Sequence, residues 1–385
     1  MNHTMPKQIG DYNKNQMLSV LREKGPTSRV ELSRLLGISS VAVSRNISRL
    51  LKNNIIRECE AENSDMGRKP IPVELCSDFC YVLGADVVGG SLKTALANLL
   101  GEIVEYYEEP IQYNLGADAL MNRLVSSLQN IIEKSGVQKE KIWVVTVGTP
   151  GIFYPDAGKS RFSFFLDGWE DIDIRTRIFD ALSIETIETI IDNDVNLDII
   201  SESWKGVGKT YKNILYVKLG QGLAARTVME NKLVRGEHNL AGEIGLMLPG
   251  ISQHMENYES LLCNAAVSGN YRESGGRSPA LTISDLCHWV NEGDEIARTV
   301  IDRLLEQFAV VLINSAAVLD PQVIILGGDA GCFGEREIAF LKQKVEQHLP
   351  LIQDIITSNL DKKACLYGAV KTGLDRIEKR ITDVW

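Results

Sequence analysis

No run of apolar residues in this 385-residue chain approaches the roughly 20 that a bilayer-spanning helix needs. The longest stretches, such as Phe308–Ile313, stop far short of that. The first 16 residues are polar and hold no apolar core, so no secretory signal is expected. A disulfide framework is missing as well. The seven cysteines (Cys59, Cys76, Cys80, Cys263, Cys287, Cys332 and Cys365) are odd in number and scattered, which predicts a reducing cytoplasm as the setting. Cys76 and Cys80 stand four apart, but no second pair accompanies them, and they read as ordinary thiols. What is present is globular: 44% hydrophobic and 24% charged residues exclude a largely disordered or fibrous chain. The length suits two or three domains.

Charge divides the chain. Residues 1–72 carry 12 Lys/Arg against 7 Asp/Glu, a balance of +5, whereas the remainder carries 29 against 44, a balance of −15. A small basic head on a large acidic body implies that only the head meets a polyanion.

Three short helical patterns fill the first 55 residues. Leu18 and Leu21 mark the first, between Asn15 and Lys24, and Gly25-Pro26 breaks it. The second opens near Ser28, carries Leu32, Leu35 and Leu36 on one face, and stops at Gly37. Ser39 caps the third, whose apolar positions Val43, Ile47 and Leu50 keep helical spacing. Two helices joined by Leu36-Gly37-Ile38-Ser39 predict a helix-turn-helix whose second member is the recognition helix. On its outer face lie Ser40, Val41, Ser44, Arg45, Ser48 and Arg49. Small hydroxyl residues permit close approach to a groove floor, and arginine supplies a fork for guanine edges or phosphate. The segment Ile55-Ile56-Arg57 through Ile71-Pro72-Val73 predicts two strands around a polar loop, a wing. Its tip, Met66-Gly67-Arg68-Lys69-Pro70, offers Arg68 and Lys69 to a minor groove.

From Tyr81 onward, strands alternate with helices in a mixed α/β pattern. Tyr81–Val88, Lys93–Leu99 and Glu102–Tyr107 read as successive strands. A helix with Leu120, Leu124, Leu128 and Ile132 follows, and then a buried strand runs into Gly148-Thr149-Pro150-Gly151. The arrangement recurs at Ile214–Leu219 with Gly220-Gln221-Gly222, and at Gln322–Leu326 with Gly327-Gly328. Two similar halves with glycine turns at strand ends predict a cleft for a small ligand. His288 and Trp289 read as core; His3 and His348 have no partner pattern.

With these residues in view, the chain resembles the ROK family (repressors, open reading frames and kinases), specifically its transcriptional regulators. The head carries the likeness at Gly25-Pro26-Thr27-Ser28-Arg29, Val43-Ser44-Arg45 and Gly67-Arg68-Lys69-Pro70. The body carries it at Leu83-Gly84-Ala85-Asp86, Gly148-Thr149-Pro150-Gly151, Gly168-Trp169, Asn193-Asp194-Val195-Asn196, Ala241-Gly242-Glu243-Ile244-Gly245 and Leu326-Gly327-Gly328. The resemblance implies a winged helix-turn-helix over 1–75, followed by a two-lobed actin-like fold of sugar-kinase/Hsp70 type. Its lobes would span 76–190 and 191–385, the last helix returning to the first lobe. It also implies DNA contacts from Thr27, Ser28, Arg29, Ser39, Ser40, Val41, Ser44, Arg45, Arg49, Arg68 and Lys69.

Departures from the kinase pattern sharpen the expectation. The first phosphate loop, Asp-x-Gly-Gly-Thr in the family, is Asp86-Val87-Val88-Gly89-Gly90 here. In the second, Gly220-Gln221-Gly222-Leu223-Ala224-Ala225-Arg226, methyl groups and an arginine side chain are expected to obstruct phosphate, although Arg226 itself could attract one. Asp86 reads as a strand-end acceptor rather than a magnesium ligand. The family's zinc-binding histidine is Leu246, and Met247–Glu256 holds no cysteine, with His254 at the place of the last one; no zinc is expected. Leu248, Ile251 and Tyr258 would hold that loop by packing. The sugar pocket is partly kept: Gly151, Asn193, Asp194, Glu243 and Glu256 match, whereas Phe165 and His238 replace asparagines. Asp194 is then a vestigial general base. The chain is therefore expected to be a DNA-binding regulator and no enzyme, without zinc or ATP. Operator DNA and a sugar or sugar derivative would be its ligands, and its assembly a homodimer or a pair of dimers, away from membranes. The competing readings are an ATP-dependent sugar kinase with a fused head and a regulator controlled by a protein partner.

Overall fold

Ser28 and Ser39 set the geometry of the head. In the computed structural model, which describes residues 6–59, 71–88, 90–111, 116–154, 159–161, 167–250, 256–276, 281–349 and 354–383, both serines are helix caps. The chain opens with α1 (Pro6–Lys24) and a two-residue strand β1 (Thr27–Ser28). Ser28 Oγ accepts the Glu31 N–H at the start of α2 (Arg29–Leu36), and Ser39 Oγ accepts the Ala42 N–H at the start of α3 (Ser40–Lys52). Between α2 and α3, Gly37 takes φ 64°, a left-handed turn that side chains with a Cβ resist. The wing strands are β2 (Ile56–Glu58) and β3 (Pro72–Leu75), with β3 central between β2 and β1. Strand β1 is an addition to the expected wing, paired Thr27 to Val73.

The first body sheet begins with an antiparallel meander of β4 (Tyr81–Asp86), β5 (Ser91–Asn98) and β6 (Ile103–Pro110). Helix α4 (Ala117–Ser135) leads to β7 (Ile142–Thr149), parallel to β4. A separate hairpin of β8 (Ile152–Tyr154) and β9 (Lys159–Arg161) and helix α5 (Ile174–Leu182) follow, and β10 (Glu188–Asn193), parallel to β7, completes the sheet. Trp169 is fully buried, its indole N–H donating to Thr149 Oγ1 at 2.6 Å. Asn193 is both the last residue of β10 and the cap of α6 (Asp194–Trp204).

The second sheet repeats the plan. A meander of β11 (Ile214–Leu219), β12 (Leu223–Met229) and β13 (Lys232–Val234) precedes the helices α7 (Tyr258–Leu262), α8 (Asn264–Glu273), α9 (Ile283–Glu292) and α10 (Glu295–Leu319). Then β14 (Val323–Gly328) pairs parallel with β11. Helix α11 (Glu335–His348) follows, and β15 (Asp354–Thr357) pairs parallel with β14. Within each sheet, the order across the sheet is third, second, first, fourth, fifth in chain sequence. The central strands are mostly apolar and buried, as strands covered on both faces must be, with Asp86 and Lys218 as their charged residues.

The last helix, α12 (Ala364–Asp383), packs on β4, β7 and α6. Its backbone touches that of α6: a β-carbon at Gly368 would run into the Leu197 carbonyl. Toward its end, Leu374, Ile377 and Ile381 share one core with Met17, Leu18 and Leu21 of α1 and with Leu32, Val43 and Ile47 of the head. Each such buried side chain contributes roughly 1.5–3 kcal/mol, so the head is packed on the body rather than hung from a tether.

One core assignment is corrected. His288 faces solvent, its side chain 71% exposed and its Nε2 3.3 Å from Glu292 Oε1. Trp289 is half-buried against Tyr271. The helix keeps only Ile283, Leu286 and Val290 fully buried, and His288 falls between them on the outer face.

Candidate functional site

The described head presents one basic face. Ser40, Val41, Ser44, Arg45, Ser48, Arg49 and Lys52 of α3 are exposed, while Val43, Asn46, Ile47 and Leu50 point into the core. The expected DNA contacts divide accordingly. Ser39 is exposed but spends its hydroxyl on the cap of α3. Thr27 is buried in β1, its hydroxyl donating to the Gly25 carbonyl, and cannot reach a phosphate; this expectation is corrected. Ser28 is partly buried and caps α2. Arg29 is tied at 2.9 Å to Glu58 of the wing, which offsets its charge. Arg68 and Lys69 lie outside the described residues.

The second site is a cleft of about 910 Å³ between the two sheets, lined from both. Asp194 stands at the first turn of α6, held there because Asn193 Oδ1 accepts the N–H groups of Val195 and Asn196. Lys218 on β11 reaches across, its Nζ 2.7 Å from Asp194 Oδ2 and 2.8 Å from Asp198 Oδ2. Burial opposes the lysine's charge, but Asp194 and Asp198 outweigh it and hold the ammonium well above the ordinary lysine range. Burial pushes the Asp198 carboxyl up to about 6, against the pull of Lys218. Next to them Asp86 accepts the Val88 N–H and pairs with Lys93 at 3.1 Å, both side chains almost fully buried. Asp86 is thus a strand-end acceptor with its own ammonium. Across the whole cleft, eight carboxylates face four lysines.

On the α6 side, Arg226 ties the cleft wall together. It lies in β12 rather than in the β11–β12 turn, and its side chain is buried behind the cleft wall. It is fully buried and donates to Asn196 Oδ1 at 2.8 Å, Asn193 Oδ1 at 3.1 Å and Glu243 Oε1 at 2.7 Å. The expectation that Arg226 blocks or attracts phosphate is corrected. Asn193 Nδ2 donates to the Gly151 carbonyl at 2.9 Å, so Gly151, Asn193, Asp194 and Glu243 are brought together. Two others are not. Glu256 is exposed and away from the cleft wall; the carboxylate beside Glu243 is Glu259, whose Oε2 accepts the Leu223 N–H at 3.1 Å. Burial raises the Glu259 carboxyl, and Glu243 adds to that rise. His238 is exposed on a loop closed by the Ala241 N–H to the Arg235 carbonyl, and points outward. Phe165 lies outside the described residues. Arg235 grips Asp192 bidentately at 2.8 and 2.5 Å, tying the β13 side to the end of β10.

On the far side, the glycine turns Gly220–Gly222 and Gly327–Gly328 are present at the strand ends. Asp329 lies against the first of them: a β-carbon at Gly220 would lie 3.0 Å from its Oδ2, which also accepts from Asn264 Nδ2. Burial raises this carboxyl. An internal carboxylate therefore lies against the Gly220 turn. The family's structural zinc does not fit the residues present. Leu246 is a half-exposed hydrocarbon, and 247–256 supplies only His254 and Glu256 as metal-binding side chains. Of the residues expected to hold that loop, Tyr258 is buried, Leu248 is 47% exposed, and Ile251 lies outside the described residues.

Comparison with known proteins places both parts. The ROK family model matches residues 82–373, and a winged helix-turn-helix DNA-binding model matches residues 11–57. A xylose repressor of Caldicellulosiruptor bescii is 24% identical over 392 residues, covering 96% of each chain. A glucokinase of Halalkalibacterium halodurans is 28% identical over 299 residues, covering 72% of this chain and 89% of its own. Among solved structures, a ROK family transcriptional regulator, a homologue of the E. coli MLC protein, superposes with a TM-score of 0.80 at 19% identity. That match covers 98% of this chain and 99% of its own.

Proposed function

The chain belongs to the ROK family, and on that footing we propose that it is a sugar-responsive DNA-binding regulator, a repressor of carbohydrate-metabolism genes, that does not transfer phosphate. The observation that carries this reading is the position of α12, packed on α6 beside the cleft and on α1 of the head. A ligand that shifts α6 acts on the head through one helix. Asp194, Glu243 and Glu259 supply acceptors for sugar hydroxyls, and the xylose repressor and glucokinase relatives support a neutral pentose or hexose. The sugar favours a state whose heads no longer match the operator; a nearly complete switch needs about 5.5 kcal/mol of differential binding. A homodimer, alone or paired with a second, presents two recognition helices to half-sites spaced by whole DNA turns. The setting is the cytoplasm.

Phosphoryl transfer needs a free base and a cradle for the phosphates. Here Lys218 occupies Asp194, and Asp329 stands against the Gly220 turn. Neither ATP nor zinc is required in this reading.

Thermal shift across a pentose and hexose panel, with wild type and Glu243→Ala, is the test. Stabilisation by at least one sugar, lost in the variant, with release of DNA at the same concentration, is expected. ATP-coupled sugar turnover that vanishes in Asp194→Ala would move the protein to the kinases. No shift with any sugar would leave control by a protein partner.

A further inference from the structure

We infer that Val41 reads the C5-methyl group of a thymine in each operator half-site, an inference that rests on the DNA-binding reading of the head. The first turn of α3 holds an isopropyl group that folding does not use. Val41 is 78% exposed, whereas Val43, one position further on, is fully buried. A β-branched residue is also a poorer helix former than alanine. Neither packing nor helix propensity calls for valine there.

Its neighbours say what covers it. Ser40, Ser44, Arg45, Ser48 and Arg49 surround it on the exposed face, and the head carries a +5 balance against −15 for the rest. That face suits a polyanion. The N-terminal residues of a recognition helix meet base edges in the major groove. Among the groups that tell base pairs apart on those edges, the thymine methyl is the one bulky apolar group. Two methyl groups that can make no hydrogen bond therefore select thymine. Arg45 lies four residues on, about 6 Å along the helix axis, on the same exposed face. The thymine therefore lies near the pair that Arg45 contacts.

The experiment uses the full chain. Duplexes are selected from a random pool, and each thymine of the selected half-site is replaced by deoxyuridine, which removes only the methyl group. At one position per half-site the wild type is expected to bind about 3- to 10-fold more weakly. Val41→Ala is expected to bind the thymine duplex equally weakly and to be indifferent to deoxyuridine there. Val30→Ala, which removes the 68% exposed valine of α2, keeps the deoxyuridine penalty. A scan with no penalty at any thymine, or a penalty that survives in Val41→Ala, overturns the inference while leaving DNA binding intact. If no duplex is enriched at all, the DNA-binding reading fails and this inference fails with it.

Discussion

Arg22 of α1 and Glu378 of α12, 356 residues apart in sequence, form a buried ion pair, their side chains 6% and 8% exposed. Arg22 Nε also donates to the Leu99 carbonyl at 2.9 Å, and Ser19 donates to Glu378. One arginine thereby joins the head to both the first sheet and the last helix.

Removing one member of a buried pair costs about 3–5 kcal/mol because the other charge stays buried. Glu378→Leu is therefore expected to loosen the head and give a separate, earlier calorimetric transition. Arg22→Met combined with Glu378→Leu should recover most of the loss. Sugar should still stabilise the body of Glu378→Leu but no longer release DNA. A single unaltered transition with normal release would contradict the coupling through α12.

Lys218 neutralises two carboxylates at once. Lys218→Met should lower Tm by several degrees at pH 7.5, and by clearly less at pH 5, where the stranded carboxylates can take up protons. An equal loss at both pH values would show that the ammonium's charge is not what matters.

Burial raises the Asp198 carboxyl from 3.8 to about 6. Its folded value therefore lies above its unfolded one, and its contribution to stability is fully present below pH 4 and is lost as pH rises through 6. Asp198→Asn, which mimics the protonated form, should gain on the wild type as pH rises from 5 to 7.5, whatever Lys218 loses with its partner. Melting curves across that range decide it; a constant difference would contradict the shift.

Arg226 holds Glu243 and Asn193 with a fixed fork. Lysine keeps the charge but not the fork, so Arg226→Lys should weaken sugar binding at least tenfold by calorimetry, about 1.4 kcal/mol. Unchanged affinity would mean that Glu243 keeps its place without the arginine.

How much of this was legible in the sequence follows from the range of the interactions. The head was readable because Gly37 and Ser39 act locally, one by backbone freedom and the other by capping. Strand β1 was not, because Thr27 needs Val73 to pair with. Asn193, Asp194 and Glu243 were found through their motifs. Glu259 was missed in favour of Glu256, although the Asn257 cap puts Glu259, not Glu256, in the first turn of α7. Lys218 and Arg226 carried a signal that went unread: each is a lone charge in an otherwise buried strand. Such a residue must find partners across the fold, and those partners lie on α6, at its cap Asn193 and at Glu243, which no spacing rule brings near. Wing residues Arg68 and Lys69 remain outside the described chain.

The contact at Gly368 has a mechanical meaning. With no side chain between them, α6 and α12 meet main chain against main chain at Leu197. Any tilt of one against the other would pivot about that point, like a lever on its fulcrum. A displacement at the Asp194 end would then meet no side-chain layer between the two helices on its way to the Arg22 end.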